Sequence, residues 1–303
     1  EDKILLYKLY LMRKPDFFIV GQTRSGTTSL QYQLQQHPDV FLIPKMYSGI
    51  PTFFGFDPIL KTKEEYLALY AEAKNEKILG ESQVDNLLCP TSASEIKQFF
   101  PNAKIIISLR NPIDVMYSVY SSNVFRGDFK EYDDFERALE AEEKRKQDNN
   151  SFPGKFPPHY FYRNIAKYTE QVKRYLDLFD PQKIHIIIFE DYINNTEQGF
   201  RKLCEFLEID PNFKPSFEHM NQIRSLRSES VQKIVNKMAG SKLKTKLGKI
   251  PKIQQAYWFL NSPKYSRPKI DPDLRKKLCI ELEPEINELS KLLNMDLTYW
   301  YKN

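Results

Sequence analysis

A polar segment between residues 21 and 29 has the composition of a phosphate-binding loop. It follows the apolar run 17–20 and reads Gly-Gln-Thr-Arg-Ser-Gly-Thr-Thr-Ser. Gly26 has no Cβ, so the backbone there can approach an anion closely. Hydroxyl side chains follow at the predicted start of a helix, where free N–H groups and the helix dipole favour negative charge. The segment therefore predicts a site for a phosphate.

The loop departs from the P-loop of nucleotide-binding proteins at one informative position. The spacing of Gly21 and Gly26 matches that motif, but Thr27 stands where a lysine should follow the second glycine. A cation stands instead inside the loop, at Arg24. The sequence therefore predicts a phosphate-binding protein that is not an ordinary ATPase or kinase.

A second strand-to-helix turn carries another set of groups suited to phosphate. The apolar residues 104–109 precede Arg110, and Ser118 lies one helical turn after Asp114. A guanidinium engages phosphate oxygens through two parallel hydrogen bonds, and a hydroxyl adds another. An isolated arginine here would suit a structural salt bridge equally well, but its place beside the first loop favours a receptor for a second phosphate. Both motifs are expected at the carboxyl ends of strands, where open α/β sheets bind ligands.

The elements that must position these groups alternate between strands and helices. Strands are predicted at 17–20, 40–43, 78–79, 104–109 and 183–189. Helices are predicted at 27–36, 64–73, 92–99, 112–120, 134–146, 165–179 and 197–207, and from Pro272, after Asp271 as N-cap, to about residue 293. This alternation predicts an α/β fold, with a single P-loop-like three-layer domain over 1–303 and a mostly parallel sheet flanked by helices. Residues 222–268, with weak periodicity, are predicted to form a lid or acceptor-binding segment.

Composition limits the classes of function. The chain has 303 residues, a formal charge of +5 and no apolar run of about eighteen residues that could cross a membrane. Its three cysteines lie far apart, which indicates a reducing, cytoplasmic setting. Seven lysines lie between 233 and 252, but no recognition motif accompanies them, so no nucleic-acid partner is predicted. The oligomeric state, and whether an anchor precedes Glu1, stay open.

The two phosphate motifs together resemble the PAPS-dependent sulfotransferase family, and within it the bacterial and Golgi carbohydrate-type branch. Residues 24–29 are similar to the family's 5′-phosphosulfate loop and residues 110–118 to its 3′-phosphate motif. The resemblance implies that the donor is 3′-phosphoadenylyl sulfate (PAPS), from which a sulfuryl group passes in line to a hydroxyl or an amine. Further landmarks extend it over essentially the whole chain: His37-Pro38, Phe53-Phe54, Gly80-Glu81-Ser82, residues 189–192 and the tail from Arg267.

The resemblance also implies a role for each residue on the donor side. Arg24 would bridge the leaving 5′-phosphate and the sulfuryl group, as a catalytic residue. Arg110 and Ser118 would hold the 3′-phosphate, and Arg267 would also contact the donor. No metal is expected, because these cations supply the positive charge. The 5′-phosphate would be held by the rest of the loop: Ser25, Gly26, Thr27, Thr28 and Ser29.

The acceptor side departs from the family's pattern. The glutamate expected shortly before Phe53-Phe54 is absent, Ser82 stands where a lysine is frequent, and Ser122 replaces a histidine of the heparan N-sulfating relatives. Either another general base serves a different acceptor, or the acceptor is nucleophilic enough to need little help. The candidate bases, in order of preference, are His159, Asp85 and Glu81, whereas His37, His185 and His219 are interpreted as structural.

Aromatic residues indicate the chemistry of the acceptor. Three clusters, with few cations in the first two, favour an apolar or planar surface. The predicted acceptor is a small or medium metabolite, such as a natural product, a lipid or a carrier-bound acyl chain, and a glycan is the alternative. A P-loop kinase or NTPase, or a non-catalytic nucleotide-binding relative, is the alternative from another class. The clusters are Tyr47, Phe53, Phe54 and Phe56; Tyr160, Phe161 and Tyr162; and Tyr257 and Trp258.

Overall fold

The computed structural model describes residues 12–43, 52–126, 134–147, 157–217 and 269–302. Contacts divide the chain into two units, Glu1–Glu218 with Asp271–Asn303, and His219–Ile270. Every strand and helix described below belongs to the first unit. The single domain over 1–303 with a lid at 222–268 stays a prediction, because that segment lies outside the described residues.

Five parallel strands form the central sheet. They are β1 (Phe17–Gly21), β2 (Val40–Leu42), β3 (Ile78–Ser82), β4 (Lys104–Leu109) and β5 (Ile184–Ile188). Their order is β2-β3-β1-β4-β5, and Phe17 of the central strand is paired with Gly80 on one side and Lys104 on the other. Parallel neighbours require crossover connections, which the intervening helices provide. The α/β fold with a parallel sheet, predicted from the alternation of elements, is confirmed.

The helices confirm most of the predicted pattern. Asp271 caps the long C-terminal helix as expected, because its Oδ1 accepts hydrogen bonds from the N–H groups of Asp273 and Leu274 at 3.0 and 2.9 Å. The helices are α1 (Thr27–Gln35), α2 (Lys63–Ala68), α3 (Ser92–Phe99), α4 (Pro112–Arg126), α5 (Phe135–Gln147), α6 (Tyr162–Ala166), α7 (Tyr168–Leu176), α8 (Phe189–Asn194), α9 (Thr196–Leu207), α10 (Pro272–Leu293) and α11 (Tyr299–Lys302). Among the described residues, none of them is both long and apolar enough to cross a membrane.

The single helix predicted over 165–179 is wrong. The chain leaves helical geometry at Lys167, with φ −77° and ψ 69°, and this divides α6 from α7. Gln171 of α7 replaces part of the lost helical bonding, since its Nε2 donates to the carbonyl of Asn164 at 2.8 Å. A side chain bonding across the break is a tertiary feature that helical periodicity does not reveal.

Helices cover both faces of the sheet. Phe17 and Ile19 of β1 pack on one face against Leu30 of α1 and Phe200 of α9. Side chains alternate along a strand, so Phe18 faces the other way, where its ring centroid lies 5.9 Å from that of Phe54. Strands buried on both faces need the continuous apolar runs that the sequence shows. The arrangement is the predicted three-layer one.

Three strands end at one edge of the sheet and are followed there by predicted site residues. The phosphate loop follows β1, Asp85 follows β3 and Arg110 follows β4. The N–H of Leu87 donates to the carbonyl of Val20 at 2.7 Å, which ties the segment after β3 to the end of β1. This edge therefore carries the groups expected for both the donor and the acceptor.

Candidate active site

The first turn of α1 is built for an anion. Gly26 is its N-cap, with φ 81°, no side chain caps the turn, and the turn contains no acidic residue. A Cβ at Gly26 would lie 2.7 Å from the ring of Phe189, so both the left-handed backbone and this contact require glycine. N–H groups at the positive end of the helix dipole suit a phosphate.

The loop is held in place by hydrogen bonds to its backbone and to the side chain of Gln22. The N–H of Gln22 donates to the carbonyl of Ser108 on β4 at 2.6 Å, and the Ser108 hydroxyl donates to the carbonyl of Ser25 at 2.6 Å. The Gln22 side chain donates to the carbonyl of Ile165 and to Oε1 of Gln171, at 3.1 and 3.0 Å. Sequence reasoning missed Gln22, because its partners lie 143 and 149 residues away along the chain.

The predicted loop residues differ in how far they are covered. Ser25 and Thr27 are buried, whereas Gly26, Thr28 and Ser29 are half-buried at the start of α1. The Oγ of Ser25 is buried with no hydrogen-bond partner among the described residues. A buried hydroxyl of this kind has hydrogen-bonding capacity left for a ligand.

The two phosphate motifs meet. The Nε of Arg24 donates to Oγ of Ser118 at 2.9 Å, and Nη1 of Arg110 donates to the carbonyl of Arg24 at 3.3 Å. Ser118 is only 1% exposed. Residues from the turns after β1 and β4 thus form one cationic region, called the donor site below, which consists of residues 24–29, Arg110 and Ser118.

Arg110 has only weak compensation for its charge. Its guanidinium lies 5.0 Å from the ring centroid of Phe189, and Nη2 is 4.0 Å from Oδ2 of Asp114. Asp114 is engaged more closely by Arg275, at 2.9 Å. The Nε of Arg110 is buried and has no hydrogen-bond partner within the described ranges. A half-buried guanidinium with unused donors suits a phosphate.

Asn111 joins the donor site to the C-terminal helix α11. Its Oδ1 accepts from the N–H of Ile113 and so caps α4, while Nδ2 donates to the carbonyl of Trp300 at 2.8 Å. Its own N–H donates to Oε1 of Glu190 at 3.0 Å. Burial raises the pKa of Glu190, and the hydrogen bond from Asn111 opposes that rise. The landmark at residues 189–192 therefore supports Arg110 through its neighbour.

The two preferred acceptor-side candidates lie in direct contact. Nε2 of His159 and Oδ1 of Asp85 are 2.8 Å apart, with side chains 15% and 24% exposed. An ionised carboxylate only accepts hydrogen bonds, so in a contact with one Nε2 of His159 is the donor. Asn123 of α4 donates to the carbonyl of His159 at 3.1 Å. Asp85 and His159 are called the acceptor pair below.

Glu81, the third candidate, is not part of this pair. Its side chain is 1% exposed and accepts a hydrogen bond from the Tyr66 hydroxyl, which also bonds that of Tyr70. Burial raises the pKa of Glu81 to about 7, and the bond from Tyr66 opposes the rise. Glu81 lies in a buried aromatic environment, which favours a structural role for this residue over a role at the reacting atoms.

The aromatic segments contribute to the core more than expected. Phe54 is buried among Phe18, Tyr66 and Phe100, and Phe53 stacks on Tyr66 with ring centroids 4.8 Å apart. Tyr160 and Tyr162 are also buried. The expectation that these side chains line the acceptor pocket is therefore wrong for the buried ones. Arg267, Tyr47, Tyr257, Trp258 and His219 lie outside the described residues.

Two other histidines have structural surroundings, as interpreted. The ring of His37 is hydrogen-bonded to the carbonyl of Asp210 and to the N–H of Asp39, both at 3.1 Å. His185 stacks on Phe206, and burial lowers its pKa to about 4. In the part of the chain that the structure describes, no group of three His, Cys, Asp or Glu side chains could hold a metal ion.

Comparison with known proteins gives a consistent result. Residues 14–278 match the family model described as "Sulfotransferase domain". The membrane-associated sulfotransferase kil1 of Dictyostelium discoideum is 26% identical over 282 residues, which cover 68% of this chain and 59% of that protein. Carbohydrate sulfotransferase 15 of Homo sapiens is 25% identical over 252 residues, which cover 65% of this chain and 44% of that protein. The chain therefore spans less than two thirds of these curated relatives.

A solved structure matches over nearly the whole chain. It is the crystal structure of a sulfotransferase from Alicyclobacillus acidocaldarius, with 26% sequence identity and a TM-score of 0.70. The match covers 96% of this chain and 100% of that one.

Proposed function

The chain belongs to the sulfotransferase family, and from this we propose that it transfers a sulfuryl group from PAPS to a hydroxyl or an amine of a small or medium-sized acceptor. The observation that carries the proposal is the meeting of Arg24, Ser118 and Arg110 at one edge of the sheet. PAPS carries a 5′-phosphosulfate and a 3′-phosphate, which need two anion receptors of this kind.

The described residues fit such a donor. The uncapped first turn of α1 offers N–H groups, the Oγ of Ser25 lacks a partner within the described ranges, and Arg110 has a buried Nε with spare hydrogen-bonding capacity. In this proposal residues 25–29 hold the 5′-phosphate, and Arg110 with Ser118 holds the 3′-phosphate. Arg267 is proposed as a further donor contact on the strength of the family resemblance.

Stabilisation of developing charge is the proposed source of rate acceleration. Sulfuryl transfer moves negative charge onto the phosphate oxygen that leaves. Arg24, inside the loop and hydrogen-bonded to Ser118 at 2.9 Å, is proposed to bring its guanidinium to that oxygen. Preorganised cations and N–H donors lower the barrier because they need no reorganisation during the reaction. Bound PAPS supplies the activated sulfuryl group itself.

The acceptor pair is proposed to activate the acceptor. In this proposal the imidazole of His159, which contacts Asp85 through Nε2 at 2.8 Å, takes the proton from the attacking hydroxyl or amine. Asp85 fixes the tautomer and stabilises the imidazolium that forms, as the aspartate does in a Ser-His-Asp triad. A positioned general base of this kind contributes about 10²- to 10⁴-fold to the rate.

The acceptor class is the least constrained part of the proposal. We favour a natural product, a lipid or a carrier-bound acyl chain, because few cations lie in the described acceptor-side segments. A glycan is the alternative, and a relative named carbohydrate sulfotransferase 15 gives it weight. The three free cysteines are compatible with the proposed cytoplasmic location.

Calorimetry tests the donor assignment. Adenosine 3′,5′-bisphosphate is expected to bind and ATP to bind much more weakly, because ATP lacks a 3′-phosphate. Tight binding of ATP without binding of the bisphosphate would favour the kinase or NTPase alternative and sink the proposal. Transfer of ³⁵S from labelled PAPS to a panel of alcohols, phenols, amines and oligosaccharides then identifies the acceptor. Bisphosphate binding with no transfer across a broad panel would favour the non-catalytic alternative.

A further inference from the structure

The segment that carries Asp85 is anchored to the sheet on one side. It begins directly after β3 and includes a short 3₁₀ turn, Val84–Asn86. The N–H groups of Gln83 and Leu87 donate to the carbonyls of Ile19 and Val20 on β1, at 3.0 and 2.7 Å. Within the segment, the carbonyls of Gln83 and Asp85 accept from the N–H groups of Asn86 and Cys89. The carbonyls of Asn86, Leu87 and Leu88 find their partners elsewhere.

Side chains of helix α7 donate hydrogen bonds to those carbonyls. Nη2 of Arg174 donates to the carbonyls of Leu87 and Leu88 at 2.9 and 3.2 Å. The hydroxyl of the next residue, Tyr175, donates to the carbonyl of Asn86 at 2.8 Å. Three successive carbonyls after Asp85 are thus held by two adjacent side chains of one helix.

Arg174 is an unusual choice for a position that only fills space. Its side chain is 19% exposed. Nη1 of Arg174 forms an ion pair with Oε1 of Glu170 at 3.1 Å, and the Glu170 side chain is 75% exposed. Burying a guanidinium costs free energy that a well-packed apolar side chain of similar size would not. What the guanidinium adds is hydrogen bonding: its Nη2 donates to the carbonyls of both Leu87 and Leu88, which an apolar side chain could not do.

The same helix also reaches the donor site. Oε1 of Gln171, one turn before Arg174 and Tyr175, accepts a hydrogen bond from Gln22 of the phosphate loop at 3.0 Å. Helix α7 therefore contacts the side chain of Gln22 in the loop and backbone carbonyls of the Asp85 segment. A rigid element that contacts both sides of a reaction centre can set the distance between them.

We propose that Arg174 is a positioning residue of the active site. By holding the carbonyls of Leu87 and Leu88 it keeps Asp85 at hydrogen-bond distance from Nε2 of His159, and so sets the tautomer of that histidine. The proposal rests on the function proposed above for the acceptor pair. It adds a residue that touches neither donor nor acceptor, outside the two phosphate motifs and outside the pair itself.

The test is the tautomer of His159, observed by ¹⁵N NMR on histidine-labelled protein. The chain has four histidines, so His159→Gln assigns the signal. The neutral ring is expected as the Nε2–H tautomer in the wild type. Arg174→Met, which keeps length but removes all donors, is expected to give a mixture of tautomers, and Arg174→Lys to recover part of the preference. Glu170→Gln, which removes the exposed ion pair and leaves the carbonyl bonds, is the matched control and should match the wild type.

Activity provides the second measurement, with the acceptor found in the transfer panel. Arg174→Met is expected to lower kcat at least tenfold while adenosine 3′,5′-bisphosphate binds as in the wild type. In an Asp85→Asn background the same substitution should cause no further loss, because both act through one hydrogen bond. Tyr175→Phe removes a single bond to the same segment and is expected to shift the tautomer in the same direction. If Arg174→Met does not fold, Tyr175→Phe replaces it in the tautomer measurement.

The possible results separate the two proposals. An unchanged tautomer in Arg174→Met, with normal bisphosphate binding, overturns the positioning role. A full-strength loss in the Asp85→Asn background also overturns it. If His159→Ala transfers sulfuryl groups at the wild-type rate, the general-base assignment fails, and the tautomer measurement still decides whether Arg174 positions Asp85.

Discussion

The donor site and the acceptor pair share one edge of the sheet but are built differently. The donor site consists of two strand-to-helix turns whose backbone N–H groups, glycine and arginines are supplied within short segments. The acceptor pair joins side chains 74 residues apart, held by α4 on one side and α7 on the other. The proposed anion binding is thus a local property of each turn, whereas the proposed base depends on the packing of several elements. A chain of this kind can alter its acceptor chemistry while its donor site stays intact.

The sharpest test of that separation is His159→Ala. The transfer rate is expected to fall about 10²- to 10⁴-fold, because the general base is lost. Adenosine 3′,5′-bisphosphate should bind with unchanged affinity, because the contacts described for His159 are with Asp85 and Asn123, which are not donor-site residues. Steady-state kinetics with labelled PAPS and calorimetry on the same preparation measure both quantities. A parallel loss of bisphosphate affinity would show that the two halves are not independent.

Arg110→Ala, in contrast, should weaken the binding of the bisphosphate. Loss of a guanidinium that engages a phosphate costs about 2–5 kcal/mol, or about 30- to 4,000-fold in Kd for the bisphosphate. Arg201→Ala on α9 is the matched control, since that arginine is exposed and pairs only with Glu205 among the described residues. Calorimetry measures both variants. An affinity within about twofold of the wild type would refute the placement of the 3′-phosphate.

Glu81 is expected to make the stability of the folded protein depend on pH. Its pKa is about 7 in the folded protein and near 4.5 in the unfolded chain, so the folded state binds the proton more tightly. The stability associated with the protonated carboxyl is complete below pH 4.5 and is lost as pH rises to 7. The difference corresponds to about 3 kcal/mol.

Glu81→Gln is expected to remove that pH dependence. A neutral amide can still accept from the Tyr66 hydroxyl, so wild-type stability should fall relative to the variant by about 3 kcal/mol between pH 4.5 and 7.5. Urea denaturation at several pH values measures this. Tyr66→Phe, which removes the donor, should destabilise the protein at every pH. Identical pH dependence in wild type and Glu81→Gln would contradict the assignment.

Ser118→Ala should give the smallest of these effects. It removes the hydrogen bond to Nε of Arg24, at an expected cost of about 1–2 kcal/mol in bisphosphate binding. Ser121→Ala, three residues along α4, removes a hydroxyl that donates to the carbonyl of Tyr117 and should leave binding unchanged. Equal effects in the two variants would mean that Ser118 supports the helix and not the donor site.

The sequence predicted the sheet and most helices because their signals are local. All five strands lie where the apolar runs predicted, and Asp271 and Pro272 start α10 as expected. The break at Lys167 was missed, since it depends on Gln171 bonding to carbonyls of the preceding helix. Helix α8 was also missed, because no helix is predicted between the strand at 183–189 and the helix at 197–207.

The same contrast between local signals and contacts of distant residues decided which parts of the site could be predicted. Arg24, Gly26, Arg110 and Ser118 stand at fixed offsets within two motifs, so their types and spacing were enough to group them. Nothing in the spacing of Asp85 and His159 indicated a contact, and they were proposed only as separate candidates. Aromatic clustering was misleading, because core packing and pocket lining have the same composition: Phe54 and Tyr162 are core residues.

The bond between Asn111 and the carbonyl of Trp300 has a consequence for biosynthesis. Asn111 caps α4 next to Arg110, yet one of its partners is made 189 residues later. Trp300 is buried, so this partner arrives as part of a docked helix and not as a loose tail. During translation the turn after β4 can form early, but it stays without this bond until the ribosome has released Trp300. Only a chain elongated through that tryptophan can complete the support beneath Arg110.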